Sequence, residues 1–261
     1  MIDPVRDYEP RSGQTSWASA ERVAAYIERE RLAIPYVIDT HLHADHLTAL
    51  PFFKERFGAR TLTGAGVGAI QRTFRELYDL PASFPVDGRQ FDGLIADGER
   101  LGFGGLELEA LHTPGHTPAH VALRVGDAVF VGDTLFMPDY GSARCDFPGG
   151  SSAELYDSIQ RLYALPDETR LFVGHDYRPG GRPLAFCATV AEHKRSNVQL
   201  DAHTKKADYV AFRAARDATL AAPALILSAM QVNIRAGQLP EPEANGTVYL
   251  RIPLNRLGGS R

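Results

Sequence analysis

Cysteine is nearly absent: Cys145 and Cys187 are the only two in 261 residues. Two thiols so far apart cannot build a disulfide framework and do not have the spacing of a zinc knuckle, so a reducing, cytoplasmic compartment is expected, with both side chains acting as small buried hydrophobes. An excess of positive charge is also missing. The formal net charge is −4, and no basic cluster interleaves with aromatic residues, so neither nucleic acid nor a membrane surface is expected as a partner. No apolar run approaches the roughly 18 residues of a membrane span. The segment Met1 to Arg11 has no apolar core of the kind a secretory leader carries. What remains is a chain with 44% hydrophobic residues, enough to bury a sizeable core.

The coarse pattern alternates helix and strand through the first third. Ala20, Val23, Ala24, Ile27 and Leu32 have amphipathic helical spacing, which predicts a helix over Ser16 to Arg31, with Ser16 or Ser19 as candidate caps and Trp17, the only tryptophan, anchoring it to a sheet. The β-branched run Tyr36 to Asp39 reads as a buried strand, Leu47 to Phe57 as a helix closed by Gly58, Arg60 to Thr63 as a strand, and Val67 to Tyr78 as a third helix. From Gln90 to Val131 short apolar runs separated by glycine-containing turns predict antiparallel hairpins, with Gly126-Asp127 as one turn. A helix over Ser151 to Leu165, a strand over Leu171 to Val173, and helices near Leu184 to Leu200 and Ala207 to Leu220 follow. The tail from Pro223 to Arg261 reads as an extension on one single domain spanning residues 1–261.

The densest chemistry lies in Thr40-His41-Leu42-His43-Ala44-Asp45-His46, three imidazoles and a carboxylate in seven residues. The preceding strand delivers His41 and His43 to one face by its period of two, and Asp45 and His46 are expected to open the next helix. Three further segments end a strand with a ligand-type residue beside Gly or Pro: His112-Thr-Pro-Gly-His116-Thr, Val131-Gly-Asp133-Thr and Val173-Gly-His175-Asp-Tyr177. Any one alone reads as a turn with a satisfied polar side chain. Together His41, His43, Asp45, His46, His116, Asp133 and His175 predict a metal site of N and O donors.

The series THLHADH, TPGHT, GDTLF and GHDY resembles the metallo-β-lactamase superfamily over nearly the whole chain. That resemblance implies an α/β (α+β) fold, an αββα sandwich with the metal at one edge. Within it, Gly132 to Phe136, Ala143 to Phe147, His175 to Tyr177 and Val232 to Gly237 look like the persulfide dioxygenases, relatives of the glyoxalase II hydrolases. The narrower likeness implies one iron(II) per chain on His41, His116 and Asp133, the two-histidine, one-carboxylate triad that leaves positions open. His43, Asp45, His46 and His175 would then surround those ligands, with Asp45 and His46 able to move protons. The substrates would be a small-molecule thiol persulfide, such as glutathione persulfide, and O2, the products sulfite and thiol, and the assembly a homodimer.

The same side chains suit a second chemistry. Two zinc(II) ions, one on His41, His43 and His116 and the other on Asp45, His46 and His175 with Asp133 bridging, would make a hydrolase of glutathione thioesters, other esters or lactones. Ligand types alone do not separate the two. Arg144 is a candidate partner for a substrate carboxylate, with an ion pair to Asp146 as the competing reading. Tyr177 is a candidate contact to substrate, and Arg235 a candidate substrate residue beside Ala236, where the persulfide dioxygenases can carry cysteine. His112, His120, His193 and His203 have no ligand context, and Cys145 no paired base. Family members carry paired strands before the segment matching Ile2-Asp3-Pro4, so N-terminal strands are expected to be missing and a sheet edge left open.

Overall fold

The computed structural model describes residues 1–257, and the chain divides into two compact units, residues 1–94 with 221–261, and residues 95–220. In chain order the elements are β1 (Val5–Glu9), β2 (Gln14–Ser16), α1 (Ala18–Arg29), β3 (Tyr36–Asp39), β4 (Leu47–Thr48), α2 (Leu50–Phe57), β5 (Arg60–Gly64), α3 (Val67–Leu77) and β6 (Gly93–Ile95). They continue with β7 (Arg100–Phe103), β8 (Leu106–His112), β9 (Val121–Val125), β10 (Ala128–Phe130), α4 (Ser152–Tyr163), β11 (Arg170–Phe172), β12 (Cys187–Thr189), α5 (Val190–Ser196), α6 (Lys206–Asp217) and α7 (Ile226–Asn233). The mixed α/β architecture expected from the motifs is the one found. Among the described residues no helix is long and apolar enough to cross a membrane.

In the first unit β3 runs parallel to β5, with Ile38 opposite Leu62, in a three-stranded sheet ordered β3-β5-β6. The other edge of β3 is covered by the first residues of the chain: Ile2 bridges Ile38, whose N–H donates to Met1 O while its carbonyl accepts from Asp3 N–H. Helix α1 begins at Trp17 with neither serine as a side-chain cap. Instead the Asp7 carboxylate of β1 accepts from both N and Oγ of Ser19, so a strand side chain satisfies one of the open N–H groups of the first turn. Trp17 packs on Phe52 of α2, its ring centroid 5.5 Å away, under the Arg6 guanidinium.

The helix expected from Leu47 starts three residues later. Leu47 and Thr48 instead pair with Arg6 and Val5 as β4, and α2 opens with Pro51 in its first turn and closes at Gly58, whose φ of 68° is the left-handed conformation expected there. A second small sheet, β2-β1-β4, results. The apolar stretch of the tail folds as α7, whose Ala229 and Val232 pack on Leu47.

The second unit holds a six-stranded sheet ordered β12-β11-β10-β9-β8-β7. All neighbours are antiparallel except β10 and β11, which need a crossover, and α4 supplies it. Gly126-Asp127 makes the turn between β9 and β10 as expected. Ser151 caps α4 by accepting from Glu154 N, and Thr189 with Glu192 forms a capping box on α5. The long helix expected near Leu184 to Leu200 is interrupted because Cys187–Thr189 pairs with β11 as an edge strand, leaving only seven residues for α5. Leu111, Val129, Leu155, Ile159, Leu171 and Tyr209 are central to this unit's core.

His193, expected to lie on a polar stretch, is fully buried in α5 and contacts Asn197 Nδ2 at 3.2 Å. Burial pushes its pKa down to about 4, only weakly opposed by Glu192. Between pH 6.5 and about 4 the unfolded chain therefore binds a proton here that the folded chain does not, so stability falls with acidification through that window. At ~1.4 kcal/mol per pH unit the loss reaches roughly 3 kcal/mol. Denaturant unfolding of His193→Leu as a function of pH should show a correspondingly flatter acid limb.

Candidate metal centre

Sheet direction decides where the ligand-type residues of the second unit emerge. Strands β8, β10 and β11 point the same way, so the loops that follow them leave one edge of the sheet, the usual position for ligand chemistry in α/β sheets. His116 lies in the loop after β8, Asp133 after β10 and His175 after β11. Nε2 of His116 lies 3.9 Å from Oδ2 of Asp133, and Nε2 of His175 lies 3.6 Å from Oδ1. These separations are too long for hydrogen bonds and close to the roughly 3–3.5 Å between donors that share a cation at bond lengths near 2.1 Å. One carboxylate oxygen thus faces each imidazole. His116 Nδ1 bonds the carbonyl of Arg144 at 2.8 Å, which makes Nδ1 the protonated nitrogen and leaves the Nε2 lone pair for a ligand bond.

Two glycines make this geometry possible. Gly174 sits where a Cβ would come 3.1 Å from Asp133 Oδ1. Gly115, at φ +133°, turns the TPGHT loop so closely over α4 that a Cβ would stand 2.3 Å from Leu155 N. Gly115→Ala is expected to displace His116, lowering both the melting temperature and zinc(II) or cobalt(II) affinity, read by thermal denaturation and chelator competition.

The first unit carries the other group. His41 Nδ1 contacts its neighbour Thr40 Oγ1 at 3.0 Å, and the His41 and His43 rings lie 4.2 Å apart. His43 and His46 stack at 4.1 Å, and ligand atoms of His43, Asp45 and His46 all lie within 4.8 Å of one another. His43 donates from Nε2 to Asp3 Oδ1 at 3.0 Å, while its Nδ1 is buried with no hydrogen-bond partner among the described residues. A carboxylate-oriented imidazole with its second nitrogen buried and uncommitted fits a metal ligand. Burial disfavours a charge on His43, but Asp3, Asp39 and Asp45 outweigh it and raise its affinity for positive charge. Burial, with the His43 charge second, pushes His46 down to about 4, so His46 is neutral at pH 7 and able to donate a lone pair. Asp45 is exposed, and with His46 it lines a cleft of about 710 Å³ that also touches Arg6 and Tyr8.

Several residues with no motif of their own hold these loops. Asp3 accepts from Thr40 N, Thr40 Oγ1 and His43 Nε2. Buried Asp39 accepts from Thr48 Oγ1, and burial, opposed by His43, raises its pKa to about 7. His120, expected to have no ligand context, is fully buried and accepts from Asp133 N–H through Nε2 at 3.1 Å while Nδ1 meets Thr113 Oγ1, so it fixes the Asp133 backbone. In the sequence its one signal is its position next to TPGHT.

Arg144 makes the internal ion pair rather than facing outward alone: Nε and Nη2 meet the two oxygens of Asp146 at 2.5 and 2.6 Å. Tyr177 is half exposed, stacked on Tyr140 at 4.1 Å and edge-on to Phe136, with its ring 6.0 Å from that of His175. Arg235 lies over Phe84 and bonds the Gln231 carbonyl, lining a cleft with Tyr249 and Arg251. Cys145 is buried, its thiol pushed up to about 12 by burial and then by Asp217, which suits packing and not nucleophilic attack.

The metallo-beta-lactamase superfamily model matches residues 9–175. The chain belongs to this superfamily. A beta-lactamase hydrolase-like protein of Agrobacterium fabrum is 50% identical over the whole chain, which spans 60% of that relative's length. A probable metallo-hydrolase of Burkholderia pseudomallei is 48% identical, covering 98% of this chain and 91% of the relative. Human mitochondrial persulfide dioxygenase ETHE1 is 29% identical over 75% of this chain and 63% of its own. Among solved structures, ETHE1 from Myxococcus xanthus superposes with a TM-score of 0.71 at 29% identity, covering 91% of this chain and 88% of that one. The fold implied by the motifs is therefore the metallo-beta-lactamase fold, and His and Asp side chains on its loops form candidate metal-binding groups.

Proposed function

We propose that the protein is an iron(II) persulfide dioxygenase, which converts a thiol persulfide, O2 and water to the thiol and sulfite. The observation that carries this reading is the similarity to the Myxococcus xanthus ETHE1 structure, which covers 91% of this chain and 88% of that one. His41, His116 and Asp133 are the proposed ligands. Iron(II) held by two imidazoles and one carboxylate would keep positions open for the substrate sulfur and for O2.

The chain's own groups have defined tasks in this proposal. The Arg144 carbonyl keeps His116 in the tautomer whose Nε2 can bind metal, and His120 holds the Asp133 backbone. Exposed Asp45 is proposed to pass to solvent the proton released when the persulfide binds as its anion, since His46, pushed down to about 4, holds a proton poorly. Tyr177, half exposed on Tyr140, offers a ring and hydroxyl to the substrate beside His175. Arg144 and Arg235 keep their proposed contact with substrate carboxylates only if they do so beside the partners they already have.

The second reading, a binuclear zinc hydrolase of glutathione thioesters, draws on one feature of the site: Asp133 presents a separate oxygen to each of His116 and His175, as a bridging carboxylate would. The hydrolase-type names of the relatives from Agrobacterium and Burkholderia lean the same way. Anaerobically purified, iron-loaded protein is expected to consume O2 with glutathione persulfide and release sulfite. Absence of uptake together with rapid thioester hydrolysis by zinc-loaded protein would reject the dioxygenase in favour of the hydrolase.

A further inference from the structure

We propose that Asn233, the last residue of α7, is a positioning residue that sets the shape of the His43–His46 loop and through it the metal affinity of the site. Its side chain is fully buried and makes three hydrogen bonds, all to the backbone of one short segment. Nδ2 donates to the carbonyls of His43 at 2.8 Å and His46 at 2.9 Å, and Oδ1 accepts from Thr48 N–H at 2.9 Å. The first two bonds hold together the two ends of the His43-Ala44-Asp45-His46 turn. The third fixes β4 directly after it, where Thr48 Oγ1 also reaches Asp39.

Only one side chain has the right set of groups. The turn presents two carbonyls and one N–H to a buried point, so it needs two donors and one acceptor in a rigid plane. Aspartate lacks the donors, serine has one, and glutamine carries the amide a methylene too far. The amide is itself held firmly, because Ala229 and Val232 of α7 pack on Leu47 in the same segment. Removing it would leave two carbonyls and an N–H without partners, each worth roughly 1–3 kcal/mol if they stayed buried, so the turn would open to find water. His43 and His46 are attached to the very residues whose carbonyls move. A small backbone shift therefore changes the mutual placement of their ring nitrogens, which lie among ligand atoms within 4.8 Å of one another.

This inference rests on the second reading of the site, in which His43 and His46 take part in holding a metal, and not on which reaction follows. The test is equilibrium affinity for zinc(II) and cobalt(II), measured by chelator competition, together with the visible absorption of the cobalt(II) form. Asn233→Ala is expected to weaken binding by roughly 10- to 100-fold and to shift the cobalt(II) bands, the usual range for loss of a group that orients ligands. Met230→Ala is the control: Met230 is fully buried in the same helix and makes no side-chain bond to the loop, so its truncation lowers stability without touching either carbonyl. Affinity within twofold of wild type in Asn233→Ala would overturn the proposal. So would an equal loss of affinity in Met230→Ala. Should Asn233→Ala not fold, Asn233→Ser, which retains one donor, is expected to show a smaller weakening in the same direction, and wild-type affinity there would also overturn it. Failure to consume O2 would reject the dioxygenase and leave this measurement intact.

Discussion

Asp133→Ala is expected to lose tightly bound metal and to reduce turnover by roughly 1,000-fold or more, equivalent to the several kcal/mol that a bound cation contributes to a reacting centre. Asp133 places a carboxylate between His116 and His175, with an oxygen facing each. Its removal takes the negative charge from two imidazoles at once. The fold should persist, because what anchors this loop is the Asp133 backbone N–H on His120 and not the carboxylate. Metal content by elemental analysis, circular dichroism and turnover on the same preparation check the prediction. Normal metal content with near-normal turnover would remove Asp133 from the ligand set. His120→Leu should act through the backbone alone, giving a smaller loss of turnover, of the order of 10- to 100-fold, with metal affinity reduced alongside.

Asp217→Ala is expected to destabilise the protein by about 3–5 kcal/mol, the cost of leaving a buried charge without its partner. Arg213 is 2% exposed, and its Nε and Nη2 both bond Asp217 Oδ1, while Nη1 donates to Gln199 Oε1 at 2.8 Å. Asp217 Oδ2 accepts from the backbone N–H of Cys145, and Gln199 holds Ser142 through both N and Oγ. This pair is therefore the internal support of the Ser142–Asp146 segment, whose Arg144 carbonyl orients His116. For a chain of this size the melting temperature should drop by roughly 10 °C. Metal affinity should fall as well, since His116 loses its fixed acceptor. Replacing both partners with Arg213→Met and Asp217→Leu should recover part of the stability, because a buried ion pair exchanged for apolar side chains is often close to neutral. A double variant no better than Asp217→Ala would show that the contact to Cys145 N–H dominates.

The parts legible in the sequence were those with local causes. The Tyr36 to Asp39 strand, the Gly58 stop, the Gly126-Asp127 turn and the Ser151 start of α4 all depend on neighbours a few residues away, and all lie where expected. The parts that misled depended on distant pairing. Leu47 and Thr48 have the pattern of a helix start, but Val5 and Arg6 draw them into β4. Cys187–Thr189 sits inside an apolar helical pattern, but the open edge of β11 takes it as a strand. In each case backbone pairing to an existing strand satisfied N–H and C=O groups that the helix would otherwise have satisfied, and tertiary context overrode a weak local preference.

The same division holds for the site. The candidate ligands are legible in the sequence because each sits in a local arrangement, the histidine-rich stretch at residues 40–46 and three ligand-type residues beside glycine or proline at strand ends, and together these resemble the superfamily to which the chain belongs. What holds those side chains in place is set by contacts between distant parts of the chain. Asp3 reaches His43 across 40 residues, and Asn233 reaches its carbonyl across 190. His120 has no ligand context in the sequence, and the pairing of β9 with β10 brings it under the Asp133 N–H. Metal ligands are chosen by the chemistry of single residues, which a sequence spells out. Their orientation depends on hydrogen bonds between groups that meet only when the chain has folded.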